Sequence, residues 1–202
     1  MVLEQKNKVD AAIDAVAQIK KSIVKIKSKS NDKLIDGIGL IVSKDGIIVI
    51  DKAAISQVGD SMVVFPDGQE FPAQLLQVQK EGDIAFIIAQ IPDDKKSKVA
   101  FNPITFAPSI KLGQSVATLY GKDIDVVSQG IIEKVGSDAS STSPQVTSIT
   151  ISTPSTKSMI GSPLFNIFGE VIGFKTTSLI SADSNIFYPL GLIKPAIPVL
   201  RK

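Results

Sequence analysis

The chain has 202 residues, of which 44% are hydrophobic and 5% aromatic, and a net charge of +2. This composition allows one large β-rich core or two small barrels that share an interface, and it excludes a disordered or fibrous chain. The near balance of charge predicts no nucleic-acid partner, and the absence of cysteine and histidine excludes disulfides, thiol catalysis and a histidine general base.

The pattern of apolar residues predicts a helical extension over residues 1–21. Between Val9 and about Lys21 the apolar residues recur at intervals of three and four, which is one stripe of an amphipathic helix. The stripe consists of Val9, Ala12, Ile13, Val16 and Ile19. We expect this helix to pack on the domain or to join the subunits of a homo-oligomer.

No export or membrane segment is recognisable in the sequence. Residues 1–9 carry Glu4, Lys6 and Lys8 and lack the apolar core of a signal peptide. No run approaches the roughly 20 apolar residues that span a bilayer. The sequence leaves open a cytosolic protein and a protein from which an export segment or an anchor has been removed.

The sequence pattern predicts a first β-barrel over residues 22–94. Alternating or continuous apolar residues mark each strand, and turn residues such as Asp67-Gly68 separate the strands. The strand at 84–91 is almost continuously apolar, so we expect both of its faces to be buried. The predicted strands cover residues 22–28, 34–42, 47–50, 62–65, 69–78 and 84–91.

A linker is predicted at residues 95–109, because this segment combines charges with two prolines.

A second barrel is predicted over residues 110–202, and it ends in a short helix that begins at residue 191. The second set of strands covers residues 115–120, 126–135, 146–152, a hairpin around 166–169, and 185–190. Together the two sets predict an all-β fold of two antiparallel barrels, with helices at the two ends of the chain.

One stretch near the hairpin carries a functional pattern. The sequence Ser158-Met159-Ile160-Gly161-Ser162-Pro163-Leu164 resembles the nucleophile motif of trypsin-like serine proteases, most closely in the HtrA/Deg branch, where it is Gly-Asn-Ser-Gly-Gly-Pro-Leu. The Gly-Ser-Pro-Leu ending and the following hairpin are kept. In this alignment Ile160 stands where the family has its nucleophilic serine.

Further segments resemble the same family in the same order. Residues 37–55 are similar to the segment of the catalytic histidine and place Ala53 in the histidine position. Residues 82–87 are similar to the segment of the catalytic aspartate and place Asp83 in that position. Residues 111–117, 129–132 and 187–197 are similar to the later strands and the closing helix. The resemblance covers about residues 10–202 and implies two antiparallel six-stranded barrels in one protease-like domain.

The resemblance implies a degenerate triad at Ala53, Asp83 and Ile160. A Ser-His-Asp triad needs a hydroxyl nucleophile and an imidazole that accepts its proton, and neither alanine nor isoleucine can fill those roles. The oxyanion-hole positions are the amides of Ser158 and Ile160. Because Ser158 replaces a glycine, we expect a reshaped hole. The resemblance therefore predicts a homologue without catalytic activity.

Two alternatives remain open. One is a hydrolase with a Ser-Lys site, for which Ser158 or Ser162 could combine with Lys52 or Lys157 if the lysine were desolvated enough to be neutral. The other is a purely structural module in a larger assembly.

We expect the inactive homologue to be a protein- or peptide-binding or scaffold domain. In the family, the strand after the hairpin pairs with an extended peptide, and the matching residues are Lys175, Thr176, Thr177 and Ser178. Main-chain pairing can persist after the catalytic side chains are lost. HtrA relatives mostly work outside the cytoplasm, so the resemblance implies an extracytoplasmic or membrane-anchored protein.

We expect neither a metal nor another cofactor. Without histidine and cysteine, carboxylates are the remaining strong ligands. The pairs Asp93-Asp94 and Asp123/Asp125 are typical of turns.

Overall fold

The computed structural model describes residues 2–30, 33–55, 61–79, 82–138, 145–152, 159–179 and 185–200. After the helix α1 (Val2–Lys20), six strands close into a first barrel in the order β1-β2-β3-β6-β5-β4. Every pair of neighbouring strands in this barrel is antiparallel. The strands are β1 (Ile23–Ser30), β2 (Lys33–Ile41), β3 (Ile47–Asp51), β4 (Ser61–Val64), β5 (Glu70–Val78) and β6 (Ile84–Ala89).

The second barrel follows a helical turn, α2 (Asp93–Lys96), and a short strand, β7 (Thr105–Phe106). Six antiparallel strands run in the order β11-β8-β9-β10-β13-β12, and the pairing of β12 with β11 closes the ring, while β7 adds to β12 in parallel. The strands are β8 (Ser115–Tyr120), β9 (Val126–Ser137), β10 (Val146–Ile151), β11 (Pro163–Asn166), β12 (Glu170–Phe174) and β13 (Ile186–Pro189). The prediction of two six-stranded antiparallel barrels is confirmed.

The two ends of the chain differ in detail from the prediction. The helix α1 begins at Val2, and its buried side chains include Ala15 and Ile19. Ile13, which the periodicity assigned to the packed stripe, is 61% exposed. At the other end, residues Leu190–Ala196 form a 3-10 helix, because Pro195 lies inside the segment and removes a backbone donor.

The segment between the barrels packs against them. Val99 and Ile104 are buried, and the amide of Ile104 donates to the carbonyl of Ile41 at 2.8 Å. Val99 belongs to the core of the first barrel, whereas Ile104 belongs to the core between the two barrels. The two barrels are therefore connected by a segment that is itself part of the hydrophobic packing.

Strand β3 contributes side chains to two hydrophobic cores, one inside the first barrel and one between the barrels. All five of its residues are buried. Ile48 and Ile50 lie in the interior of the first barrel, and Ile47 and Val49 lie in the core between the barrels. Successive side chains of a strand point to opposite faces. The alternation therefore places Asp51, the last residue of β3, on the face that carries Ile47 and Val49 toward the second barrel.

Candidate functional site

The candidate site lies where the ends of β3, β6 and β12 meet. Asp51 ends β3 and is followed by a 3-10 turn, Lys52–Ala54. Asp83 comes directly before β6, and its carbonyl accepts the amide of Lys52 at 2.7 Å. From the second barrel, a 3-10 turn at Thr177–Leu179 reaches the same place. The site is thus built from both barrels.

The Asp51 carboxylate is the central polar group of this site. Its side chain is fully buried, and Oδ1 accepts the amide of Ala53 at 2.7 Å. Oδ2 accepts the amide of Thr177, and the Thr177 hydroxyl lies 3.0 Å and 2.9 Å from the two oxygens. Asp51 was not among the predicted site residues. The signal that could have found it is the strand alternation, which puts a carboxylate on a buried face.

Burial raises the pKa of the Asp51 carboxyl above its usual value, because a charged carboxylate is poorly solvated in the interior. The hydrogen bonds from Thr177 and Ala53 act in the opposite direction, since they favour the ionised form. The nearby negative charge of Asp83 raises this pKa further. The site therefore holds a carboxyl group that gives up its proton less readily than an exposed aspartate.

Asp83, the predicted triad aspartate, has a structural partner in Lys52. The Lys52 ammonium forms an ion pair with Asp83, and the two side chains are 50% and 25% exposed. The backbone of Asp83 has φ = 52°, a conformation that is uncommon outside glycine. The Thr177 hydroxyl lies 3.4 Å from Asp83. Ala53 and Asp83 therefore lie in the same region: the amide of Ala53 is bonded to Asp51, and the neighbouring Lys52 is bonded to Asp83.

Ile160 lies in a tight turn on the second barrel. The amide of Ser162 donates to the carbonyl of Met159, and Gly161 has φ = 88°, as the third residue of a type II turn requires. The amide of Gly161 donates to the carbonyl of Lys175, and the amide of Lys175 donates to the carbonyl of Ser162. This two-against-one pairing, with a left-handed glycine first, is a G1 β-bulge.

The turn is attached directly to the first barrel. The carbonyl of Ile160 accepts the amide of Ile38 at 3.1 Å. A Cβ on Gly161 would overlap the carbonyl oxygen of Ile38, so no residue with a side chain fits here without movement. Ile160, predicted for the nucleophile position, therefore contributes a barrel contact through its backbone, and its aliphatic side chain has no nucleophilic atom. Ser158, the other oxyanion-hole position, lies outside the described residues.

The described residues do not form the alternative Ser-Lys site at Ser162. This serine is fully buried, and its hydroxyl has no hydrogen-bond partner among the described residues, so no described lysine nitrogen is within bonding distance. Lys52 is paired with Asp83. Ser158 and Lys157 lie outside the residues that the structure describes.

Part of the segment predicted as a possible peptide-binding strand, Lys175, Thr176, Thr177 and Ser178, makes contacts within the protein, and peptide binding at this segment stays a prediction. Lys175 and Thr176 are buried, and both backbone groups of Lys175 are bonded to the bulge. Thr177 and Ser178 belong to a 3-10 turn, and the Thr177 amide is bonded to Asp51. The amides of Lys175 and Thr177 are therefore engaged within the protein.

Lys175 lies inside the second barrel. Its ammonium is 5.4 Å from the centre of the Phe187 ring, a cation–π geometry. Burial lowers the pKa of Lys175 below the usual range of a lysine.

A groove with largely apolar walls separates α1 from the second barrel. It has a volume of about 660 Å³. Ile131 and Ile167, on its wall, are 45% and 39% exposed, and the neighbouring Phe168 is 69% exposed. The apolar residues that line the groove include Ala12, Val16, Val116, Ala117, Ile131 and Ile167.

Within the described ranges, no group of three acidic side chains is placed to hold a metal ion. Asp93 and Asp123 form ion pairs with Lys96 and Lys25. None of the described helices is long and apolar enough to cross a bilayer.

Comparison with known sequences agrees with the resemblance. The profile of the family described as "Trypsin-like peptidase domain" matches residues 37–174. The chain is 29% identical over 158 residues to a probable periplasmic serine endoprotease DegP-like of Brucella suis, with 77% of this chain and 28% of the relative aligned. It is 28% identical to the serine endoprotease DegS of Haemophilus influenzae over 100% of this chain and 61% of that protein. The chain thus spans less than a third of the DegP-like relative.

Comparison with solved structures gives the same fold. The active form of the Rv3671c protease from M. tuberculosis superposes with a TM-score of 0.68 at 18% identity, over 93% of this chain and 85% of that chain. Deg5 superposes with a TM-score of 0.70 at 16% identity, over 91% and 90%. The trypsin-like, HtrA-like double barrel predicted from the sequence is confirmed.

Replacing Gly161 with alanine is predicted to destabilise the protein. A left-handed backbone costs an L-residue about 1–2 kcal/mol, and the new methyl group also overlaps the Ile38 carbonyl oxygen. We expect Gly161→Ala to lower the free energy of unfolding by about 2 kcal/mol or more in urea denaturation. Gly191→Ala is the control, because no atom lies within 4 Å of the position of its added Cβ. Equal stability of the two variants would contradict this account of the turn.

Proposed function

Because the chain belongs to the trypsin-like peptidase family, we propose that it is a non-catalytic member that works as a protein- or peptide-binding or scaffold domain. The observation that carries the proposal is the pair of substitutions at Ala53 and Ile160 in a chain without histidine. Acyl transfer by this fold needs a nucleophile and a base at those two positions. Because the nucleophile and the base are both replaced, a change at one position alone does not explain how this chain differs from the family's catalytic pattern.

The contacts of the site support the same proposal. The carboxylate that accepts the backbone amide of Ala53 belongs to Asp51, and its remaining hydrogen bonds go to Thr177. Asp83 is engaged by Lys52. The two acidic groups therefore make contacts within and between the barrels. The chain has no histidine, and no described serine hydroxyl is bonded to either group for proton transfer.

A binding role is supported by the groove beside α1. Its apolar wall, with Ile131 and Ile167 partly exposed, suits an apolar segment of a partner protein or peptide. The groove is an alternative to the strand at residues 175–178, where the amides of Lys175 and Thr177 are engaged within the protein. Association of copies of the chain through α1 remains a prediction.

We expect no hydrolysis of unfolded casein and no labelling by a fluorophosphonate probe. Both assays require an activated nucleophile, and the described site contains none. Trypsin under the same conditions is the positive control. The proposal of inactivity fails if the wild-type protein shows turnover or labelling that is lost in Ser158→Ala or Ser162→Ala.

Binding is tested with a library of fluorescent casein-derived peptides and fluorescence anisotropy. We expect apolar peptides to bind the wild-type protein, and Ile131→Glu to weaken binding about tenfold or more because it puts a charge on the groove wall. Val199→Glu is the matched control, since Val199 is 88% exposed and is not among the residues that line the groove. If no peptide binds, or if both variants weaken binding equally, the groove is not a binding site and a purely structural module is favoured.

A further inference from the structure

Two turns of the second barrel each hold a large apolar side chain in solvent. Phe168, in the turn at residues 166–169, is 69% exposed, and Leu112, in the turn at residues 111–114, is 67% exposed. A hollow of about 430 Å³ lies between these side chains, and residues of both turns line it. Exposed apolar side chains that border a concave surface are typical of a site where another molecule binds.

The turn that carries Phe168 is fixed by the side chain of Asn166. The Asn166 Oδ1 accepts the amides of Phe168 and Glu170 at 2.9 Å and 3.1 Å, and its Nδ2 donates to the Glu170 carboxylate at 2.8 Å. The amide of Gly169 donates to the Asn166 carbonyl at 3.0 Å. Because Asn166 is buried, this network attaches the turn to the barrel and keeps Phe168 in solvent.

The turn that carries Leu112 is fixed in a similar way. The amide of Gln114 donates to the carbonyl of Lys111, and the Gln114 Oε1 accepts the amide of Lys111, both at 3.2 Å. Two further bonds join the turn to Ile132 of β9, from the amide of Gly113 at 2.8 Å and to the carbonyl of Gln114 at 3.0 Å. Side chains on such fixed turns lose little conformational freedom when a partner covers them, which favours binding.

The hollow adjoins the groove beside α1. Asn166 lines both of them. On one turn Ile167 lines the groove and Phe168 lines the hollow, and on the other side Ser115 lines the groove and Gln114 lines the hollow. A segment of chain that lies in the groove can therefore continue past Asn166 into the hollow.

The charges of the hollow differ from those of the groove. The groove is lined by apolar and uncharged polar residues, whereas Lys111 and Glu170 are among the residues that line the hollow. The Glu170 carboxylate already accepts the amide of Asn166. Lys111 is exposed and forms no ion pair with another described residue. A bound segment is therefore complementary to the hollow if it carries an acidic group.

We propose that the hollow between Phe168 and Leu112 binds a peptide segment of a partner protein, in which an apolar side chain packs between these two residues and a neighbouring acidic group pairs with Lys111. The proposal rests on the binding function proposed above, and it adds to the groove a second contact with a defined ligand chemistry. The concave shape of the hollow suits a segment of chain better than a flat lipid surface.

The apolar side chains and the lysine contribute in different ways. Apolar side chains that become buried at an interface carry most of its affinity. An exposed ion pair contributes less and is screened by salt. We therefore expect Phe168 and Leu112 to determine how tightly a peptide binds, and Lys111 to determine which peptide is preferred.

The contribution of the apolar side chains is tested by fluorescence anisotropy, with the casein-derived peptide that binds the wild-type protein most tightly. Phe168→Ser and Leu112→Ser should each weaken binding about fivefold or more. Both side chains are exposed, so urea denaturation should show little change in stability. Val199→Ser is the control, because Val199 is 88% exposed and is not among the residues that line the hollow. Affinities equal to that of the control overturn the proposal.

The contribution of Lys111 is tested with the same peptide, resynthesised with Glu, Gln or Lys at each position in turn. At a position next to an apolar residue, we expect the wild-type protein to prefer Glu to Lys about threefold or more at low salt, with Gln between them. Lys111→Glu should reverse this order. Lys44→Glu, at an exposed turn residue of the first barrel, is the matched control and should keep it. A preference that is absent, or that Lys111→Glu leaves unchanged, counts against the proposal and overturns it.

The outcomes separate this proposal from the binding function on which it rests. If Ile131→Glu weakens binding while the variants of Phe168, Leu112 and Lys111 behave as their controls, the groove binds peptides and the hollow does not. If the wild-type protein binds no peptide, the binding function and the second contact both fail. Sedimentation velocity tests another occupant: a wild-type dimer that Phe168→Ser dissociates would assign the hollow to a second copy of the chain and overturn the peptide proposal.

Discussion

The structure depends on one buried carboxylate that is shared between two barrels. Asp51 falls on the interbarrel face because β3 alternates, with Ile47 and Val49 on the same side. A carboxylate on such a face must be hydrogen-bonded. Its partners are the amide of Ala53 on its own turn and the amide and hydroxyl of Thr177 on the other barrel. Satisfying this group fixes how the 3-10 turn after β3 and the segment after β12 approach each other, and both lie at the candidate site.

The turn at Gly161 shows how a trypsin-like fold can be kept when the residue in the predicted nucleophile position has an aliphatic side chain. Gly161 keeps the left-handed turn and the bulge, and the carbonyl of Ile160 holds the first barrel through Ile38. These contacts use the backbone and make no demand on the side chain at position 160. In the predicted alignment, by contrast, triad chemistry would need a hydroxyl side chain at position 160 and a base at position 53. The contacts of this turn can therefore be preserved whichever side chain stands at position 160.

The sequence predicts the barrels well because strand periodicity and turn residues are local signals. Strand β3 and the Asp67-Gly68 turn lie where the alternation and the turn chemistry put them. The site was harder to predict. Asp51 was missed because its importance comes from Thr177, 126 positions away in the chain. Residues 175–178 were assigned to a peptide-binding strand from the family resemblance, which does not reveal that the Thr177 amide bonds to a distant carboxylate. Ile13 was assigned to the packed stripe, but the helix buries Ala15 and Ile19 in a face that leaves Ile13 exposed.

The central claim is that this region now acts as a joint between the barrels. A double-mutant cycle with Asp51→Ala and Thr177→Val measures it most directly, because the valine keeps the volume of Thr177 and removes the hydroxyl that lies beside the carboxylate. Each single variant should destabilise the protein. The two effects should fall short of additivity by about 1–2 kcal/mol, the size expected for a buried hydrogen bond to a charged group. Additive effects, within about 0.5 kcal/mol, would contradict the claim, because they would mean that Asp51 and Thr177 stabilise the fold independently.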